Sequence, residues 1–394
     1  MNMKKNLAII ITKLNGGGAE RCASNLSVEL SKHYNVFLIV FDANNISYPF
    51  GGKLIDLNIP KSEGGIKRYL GVVQRVLLLR RIKRNYKIDI TISLLEGPNL
   101  VNVLSKYKDK TIVSVRNCMS KQPGGIIANA IIKFASMAAD LTVSLSEMVK
   151  NDLVRNYGIS PSKIKTIYNH VDCDLLKQQK CDNEFDLPLN KRYIVNIGRL
   201  HIQKGQWHLI RAFKHISERC ADLNLLILGE GELRPKLEQL VADLDLNGRV
   251  FMPGFIKSPH SYFSKCEMFV FSSLYEGLGN VLLEAESFGL PVISTDCIAG
   301  PREILAPDTD LNYSTKTIEY GKYGILVPVD ETILIDSKCP LTKEEKAMSD
   351  AILELYQNDN LRDEYSSHSL ERVKRFDKDK ITKDWIQVIE KIWD

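Results

Sequence analysis

The stretch "NLAIIITKLNGGGAERCASNLSVELSKHYNVFLIVF" (residues 6–41) decides the fold. "NLAIII" is a short apolar run of strand length. The glycines Gly16, Gly17 and Gly18 follow, then the helix-length segment "ERCASNLSVELSKH", then a second apolar run, "NVFLIVF". A strand, a glycine turn, a helix and a further strand form the repeating unit of a parallel sheet, because the crossover returns the chain to its starting edge. The same alternation continues through "IDITISLL", "TIVSV" and "LTVSLS". It lapses over "DCDLLKQQKCDNEFDLPLN" (residues 172–190) and restarts with "YIVNIGRL", "LNLLILGEGE", "VFMPGF", "MFVFSS" and "PVIST".

The pattern predicts an α/β protein of two Rossmann-like, doubly wound domains facing a cleft. Residues 1–171 form the N-terminal domain, 172–190 a linker and 191–376 the C-terminal domain. A charged helix over 377–394 is expected to pack back toward the N-terminal domain. In such sheets ligands bind outside the carboxyl ends of the strands.

Composition narrows the function classes. The chain has 394 residues, of which 44% are hydrophobic and 26% charged, so it is globular rather than disordered. No apolar run approaches the roughly 20 residues of a membrane span. The apolar run at residues 7–11 is too short for a signal peptide and reads as a buried strand. The eight cysteines (Cys22, Cys118, Cys173, Cys181, Cys220, Cys266, Cys297 and Cys339) contain no C-x-x-C pair. That argues against a zinc site and a disulfide framework, and it fits a reducing cytoplasm. Residues 1–170 carry 25 Lys and Arg against 11 Asp and Glu, while the remainder carries 28 against 37. A basic front half implies an anionic partner.

The loops after the strands hold the candidate chemistry. Gly16–Gly18 allow backbone N–H groups at a helix start to approach an anion, or simply make a tight turn. In "NIGRLHIQKG" (196–205), Arg199 and Lys204 lie five apart past a strand end, a pairing suited to a diphosphate. Solvated surface cations are the plainer alternative. Gly229 and Gly231 in "LGEGEL" suit either a turn or a close approach. In "YEGLGNVLLEAESFGLPVIST" (275–295), Gly277 and Gly279 make a loop and Asn280 reads as the N-cap of a helix over 281–288. Glu276 precedes that helix and Glu284 lies one turn inside it. The N–H groups near Asn280 and Val281 can hold a phosphate, leaving a carboxylate on each side for sugar hydroxyls.

Taken together, "GGGAER", "GRLHIQKG" and "EGLGNVLLE" resemble the retaining nucleotide-sugar glycosyltransferases of family 4, of the GT-B fold and the bacterial surface-polysaccharide type. "SEMVKNDL", "YNHVD", "AGPREIL" and "YGILVPV" lie where members carry similar segments, so the resemblance spans nearly the whole chain. It implies that Arg199, Lys204 and Glu276 act in catalysis. Arg199 and Lys204 would neutralise the donor diphosphate, Glu284 would bind the ribose and Glu276 the transferred sugar. Gly279, Asn280 and Val281 would offer backbone N–H groups, and Gly17 and Gly18 would close on the phosphates. Members often carry a histidine where this chain has Arg116 and Asn117, which are therefore expected to contact sugar or acceptor. The resemblance implies no cofactor and no catalytic metal, and no D-x-D pair lies in the loops expected at the cleft.

The implied reaction moves a hexose or N-acetylhexosamine from a UDP- or GDP-sugar to a glycan, expected to be lipid-diphosphate-linked. A non-catalytic GT-B subunit and a nucleotide-sugar hydrolase or epimerase are the competing readings. Residues 64–87, "GGIKRYLGVVQRVLLLRRIKRNYK", combine eight Lys and Arg with Leu70, Val73, Leu77 and Leu78. They fit either a helix packed on the sheet by that apolar stripe or docking on an anionic membrane. No aromatic-interleaved platform accompanies the charge, so no nucleic-acid partner is expected. The expected location is cytoplasmic, peripheral on the inner face of the plasma membrane.

Overall fold

The computed structural model describes residues 4–60, 64–121, 125–178, 187–188, 191–333 and 335–393. The chain divides into two compact units, residues 1–169 with 379–394, and residues 170–378.

The first unit runs β1 (Asn6–Ile11), α1 (Gly18–Ser31), β2 (Asn35–Val40), β3 (Lys53–Asp56), α2 (Gly65–Asn85), β4 (Ile90–Leu94), α3 (Glu96–Leu104), β5 (Lys110–Val115), α4 (Gly125–Ala138), β6 (Leu141–Ser144), α5 (Glu147–Tyr157) and β7 (Ile164–Thr166). Its sheet has the order β3-β2-β1-β4-β5-β6-β7 with every pair parallel. β1 is central, and Leu7, Ala8, Ile9, Ile10 and Ile11 are all fully buried. A strand covered on both faces needs apolar side chains at successive positions, which is why it reads as a continuous run.

The second unit contains α6 (Cys173–Gln178), β8 (Arg192–Ile197), α7 (Gln206–Ser217), β9 (Leu223–Leu228), α8 (Arg234–Asp243), β10 (Val250–Gly254), β11 (Met268–Phe271), α9 (Asn280–Ser287), β12 (Val292–Thr295), α10 (Pro301–Leu305), β13 (Glu319–Tyr320), β14 (Ile325–Val327), α11 (Lys343–Gln357) and α12 (Asp359–Val373). Its sheet order is β10-β9-β8-β11-β12-β14-β13. Only the edge pair β13–β14 is antiparallel among the described strands. The last helix, α13 (Lys378–Trp393), buries Ile381, Trp385, Val388 and Ile389 with Leu7, Ile9 and Leu38 in the core of the first unit.

Two segments differ from the sequence reading. The supposed linker holds α6, which buries Leu176. Asp172 starts it by accepting the Leu175 N–H at 3.0 Å and pairs with Lys378 at 2.8 Å. Six residues are too few to show helical periodicity. Residues 179–186 and 189–190, with Cys181, lie outside the described residues.

The other segment is α2. Leu70, Val73 and Leu77 do not face the sheet; they are 55%, 53% and 64% exposed, beside an exposed Tyr69. Leu79 and Ile82 make the buried contacts, with Val72, Val76 and Leu78 partly buried around them. Two of its described cations are internal. Arg75 donates to the Ile59 and Pro60 carbonyls at 2.7 to 3.0 Å. Lys83 is fully buried, 2.8 Å from both Asp109 and Asn102 Oδ1. Burial pushes its ammonium down to about 8, against the opposing pull of Asp109. The helix thus presents its apolar stripe outward, flanked by exposed Lys67, Arg80, Arg81 and Arg84.

Candidate functional site

In the second unit two loops at strand carboxyl ends are joined by hydrogen bonds. The loop after β8 turns through a short 3-10 segment, Ile202–Lys204, whose N-terminus is capped by His201 Nδ1 accepting the Gln203 N–H at 3.2 Å. The Leu274 N–H donates to the Gln203 carbonyl at 2.8 Å, and Gln203 Nε2 donates to the Tyr275 carbonyl at 2.9 Å. Ser272 Oγ donates to the Lys204 carbonyl at 2.8 Å. These bonds fix the Lys204 backbone against the loop that carries Glu276.

The side chains meet as well. Lys204 Nζ lies 2.5 Å from Glu276 Oε1, with the two side chains only 20% and 10% exposed. Its ammonium also stands 5.2 Å from the centroid of the Phe271 ring. A charge-assisted bond in so dry a place holds both head groups in one geometry. Arg199 differs, being exposed on the same loop. Lys204, by contrast, is a partly buried member of an ion pair.

Glu276 is held from behind by the chain after β12. Its N–H donates to the Ile298 carbonyl at 3.2 Å. Gly300 has φ of +101°, and a Cβ there would overlap the Leu278 carbonyl, so only glycine allows the two loops to lie this close. Cys297 is buried beside this pair. Burial pushes its thiol well up, the Glu276 carboxylate adds to that rise, and the thiol stays protonated.

The helix carrying Glu284 starts one residue earlier than the sequence suggests. Asn280 is its first residue and Gly279 the N-cap, at φ +82° and ψ 59°. Asn280 is the better cap by side chain, but the left-handed backbone at the turn favours glycine. The N-cap glycine has no side chain to accept from the first turn, whose N–H groups point along the helix axis toward its N-terminus. Glu284 Oε2 lies 3.0 Å from His260 Nε2, and its side chain is 12% exposed. His260 belongs to the 3-10 segment Pro259–Lys265, and no motif or spacing in the sequence pointed to it.

Two positions further along α9, Glu286 is fully buried and neither carboxyl oxygen has a hydrogen-bond partner among the described residues. Burial pushes this carboxyl well above its ordinary value, opposed by Arg372. The folded chain therefore keeps a proton that the unfolded chain releases above about pH 4.5. Stability contributed by this group is present below that pH and is lost as pH rises toward the folded-state pKa, at up to about 1.4 kcal/mol per unit. Glu286→Met is expected to raise the melting temperature more at pH 8 than at pH 5. Equal melting temperatures for variant and wild type at both values would contradict a buried neutral acid.

The first unit holds the other predicted residues. Gly17 is the extended N-cap of α1 (φ −119°), and the carboxylate of Glu20, in the first turn, packs against it. Arg116, at the end of β5, is buried rather than exposed. It donates to Asn169 Oδ1 and, at 3.4 Å, to Ser114 Oγ. Asn117 beside it is half-buried.

One group among the described residues could hold a metal: His208, Asp330 and Glu345, with ligand atoms within 4.8 Å of one another. Glu345 Oε1 already accepts from His208 Nδ1 at 2.8 Å and Arg211 Nε at 2.7 Å. Burial raises the Glu345 carboxyl, yet these bonds bring it below its ordinary value. The bonds from His208 and Arg211 on α7 to the Glu345 carboxylate tie that helix to the start of α11. Glu345 there also completes a capping box with Thr342.

Known proteins resemble this chain along most of its length. Residues 16–175 match the model described as "Glycosyltransferase Family 4", and residues 177–315 match "Glycosyl transferases group 1". An uncharacterised glycosyltransferase of Methanocaldococcus jannaschii is 36% identical over 81% of this chain and 83% of its own. A Campylobacter jejuni protein is 30% identical over 98% of this chain and 99% of its own. It is named N-acetylgalactosamine-N,N'-diacetylbacillosaminyl-diphospho-undecaprenol 4-alpha-N-acetylgalactosaminyltransferase. Among solved structures, HepE of Anabaena in complex with UDP superposes with a TM-score of 0.77 at 16% identity, covering 98% of this chain and all of that one.

Proposed function

Since the chain belongs to the glycosyltransferases of the GT-B fold, we propose that it transfers a hexose or N-acetylhexosamine, with retention, from a nucleotide sugar to a lipid-diphosphate-linked glycan in surface polysaccharide assembly. UDP is preferred to GDP as the carrier. The observation that carries this reading is likeness along 98% of the chain to a transferase named for a diphospho-undecaprenol acceptor. The UDP bound by a structural neighbour of the same fold supports the carrier.

In the proposed reaction the bond from the sugar's anomeric carbon to the diphosphate oxygen breaks, and its electron pair leaves with the nucleotide. An acceptor hydroxyl forms the new bond on the same face and gives its proton to the departing phosphate. Arg199 and Lys204 offset the charge that develops on the diphosphate. The N–H groups at Gly279, Asn280 and Val281 add the positive end of α9. Glu276 binds hydroxyls of the sugar being transferred, and Glu284 those of the ribose. In the first unit, the turn at Gly17 and Gly18 offers N–H groups to an anion, and the half-buried Asn117 contacts sugar or acceptor beside Arg116, which is held by Asn169 and Ser114.

The test is nucleotide release by purified protein across UDP-, GDP- and ADP-sugars, with and without a polyprenyl-diphosphate-linked glycan and with EDTA present. Acceptor-dependent release that survives chelation is expected, because the two cations and the helix end do the work a divalent ion does elsewhere. Release independent of acceptor would make the protein a hydrolase. Loss in EDTA with recovery in magnesium or manganese would overturn the metal-free donor site.

Association with an anionic membrane follows from α2. No helix among the described residues is long and apolar enough to cross a membrane. The exposed Tyr69, Leu70, Val73 and Leu77 beside Lys67, Arg80, Arg81 and Arg84 supply both apolar area and positive charge. α4 likewise exposes Ile126 (89%) and Ile127 (72%). Sedimentation with anionic vesicles is expected to fall at high salt and on reversing Arg80, Arg81 and Arg84 to Glu. Equal sedimentation with neutral vesicles would contradict electrostatic docking.

A further inference from the structure

We propose that His260 is a positioning residue for the donor site: its imidazole holds the Glu284 carboxylate in the rotamer that receives the nucleotide's ribose. The inference rests on the ribose reading of Glu284 given above. His260 is 4% exposed, and its Nε2 lies 3.0 Å from Glu284 Oε2. Its ring stacks on Phe288 at 6.1 Å and 6°, and meets the edge of Phe263 at 5.6 Å and 71°. Phe288 lies four residues beyond Glu284, so the helix presents the carboxylate and the stacking ring on one face.

The tautomer follows from the surroundings. His260 Nδ1 is buried with no hydrogen-bond partner among the described residues. A proton on Nδ1 alone would bury an unsatisfied donor and set a lone pair against the carboxylate. A proton on Nε2 donates to Glu284 and leaves only a lone pair unmatched, which is the less costly arrangement. The two phenylalanines prevent the ring from turning away. The Oε2 oxygen of the carboxylate is thereby anchored.

Calorimetry with free UDP separates the proposal from the reading beneath it. Four variants are compared with wild type: Glu284→Gln, His260→Phe, His260→Gln and the double variant of Glu284→Gln with His260→Phe. His260→Phe keeps the stacked ring and removes the donor; it is expected to weaken UDP binding about 3- to 10-fold. His260→Gln, with an amide N–H at similar reach, is expected to restore affinity to within about twofold. The double variant should bind no more weakly than Glu284→Gln alone, because one interaction is removed only once. In turnover, His260→Phe should raise KM for the donor with kcat nearly unchanged. His260→Met serves the same comparison where His260→Phe fails to fold. Wild-type affinity in His260→Phe, beside a loss in Glu284→Gln, overturns the positioning role. Wild-type affinity in Glu284→Gln overturns the ribose reading itself.

Discussion

Replacing Lys204 by alanine is expected to lower turnover by about 100-fold or more and, unlike the same change at Arg199, to lower thermal stability. The kinetic loss has one cause at both positions. In the proposed reaction each removes a positive charge from the place where the diphosphate gains charge in the transition state, and one such contact is worth about 10²- to 10³-fold. The stability effects differ because the surroundings differ. Arg199 is exposed, and its loss should change stability by no more than about 0.5 kcal/mol. Lys204 is the partner of Glu276 at 2.5 Å, and Glu276 is only 10% exposed. Its removal strands a nearly buried carboxylate. Breaking a fully buried pair costs about 3–5 kcal/mol, and partial exposure here brings the expectation to about 1–3 kcal/mol. Adding Glu276→Ala to Lys204→Ala should recover part of that stability without restoring turnover. Normal turnover in Arg199→Ala would remove the diphosphate assignment, and unchanged stability in Lys204→Ala would remove the ion pair.

Glu276→Gln is expected to depress transfer by about 10- to 100-fold while the protein remains folded. The amide keeps the size of the side chain and one acceptor oxygen but loses the charge. A hydrogen bond from a sugar hydroxyl to a carboxylate is worth about 1.5–3 kcal/mol, which sets this range. The same substitution loosens Lys204, so part of the loss should appear as weaker diphosphate stabilisation. Lys204→Arg, which keeps the charge but changes its reach, separates the two contributions. If it retains most of its turnover while Glu276→Gln does not, the carboxylate acts on the sugar and not only through its partner. Equal losses in both would make Glu276 an anchor for Lys204 alone.

Much of the architecture was legible because buried parallel strands are apolar at most positions. β1 is apolar from Leu7 to Ile11 and β9 (Leu223 to Leu228) is interrupted only by Asn224, so both could be read as strands, and the loops after strands followed from them. Side-chain pairing could not be read. Lys204 and Glu276 are 72 residues apart, and only the pairing of β8 with β11 brings their loops together. Glu284 and His260 had no common motif for the same reason. At α2 the apolar residues were visible, but their direction was not. Arg75 and Lys83 find partners inside, while Leu70, Val73 and Leu77 lie exposed. The start of α9 shifted by one residue because backbone handedness at Gly279 outweighed the capping preference of Asn280.

The central claim is that the two glutamates flanking the start of α9 read different parts of one donor. It is tested most directly by measuring the affinity of free UDP for wild type, Glu284→Gln and Glu276→Gln, beside initial transfer rates. Glu284→Gln should weaken free UDP by about tenfold or more, because the ribose is present in both nucleotide and donor. Glu276→Gln should bind free UDP within about threefold of wild type yet transfer far more slowly, because its partner exists only in the intact donor. Equal loss of UDP affinity in the two variants, or none in either, would contradict the division of roles.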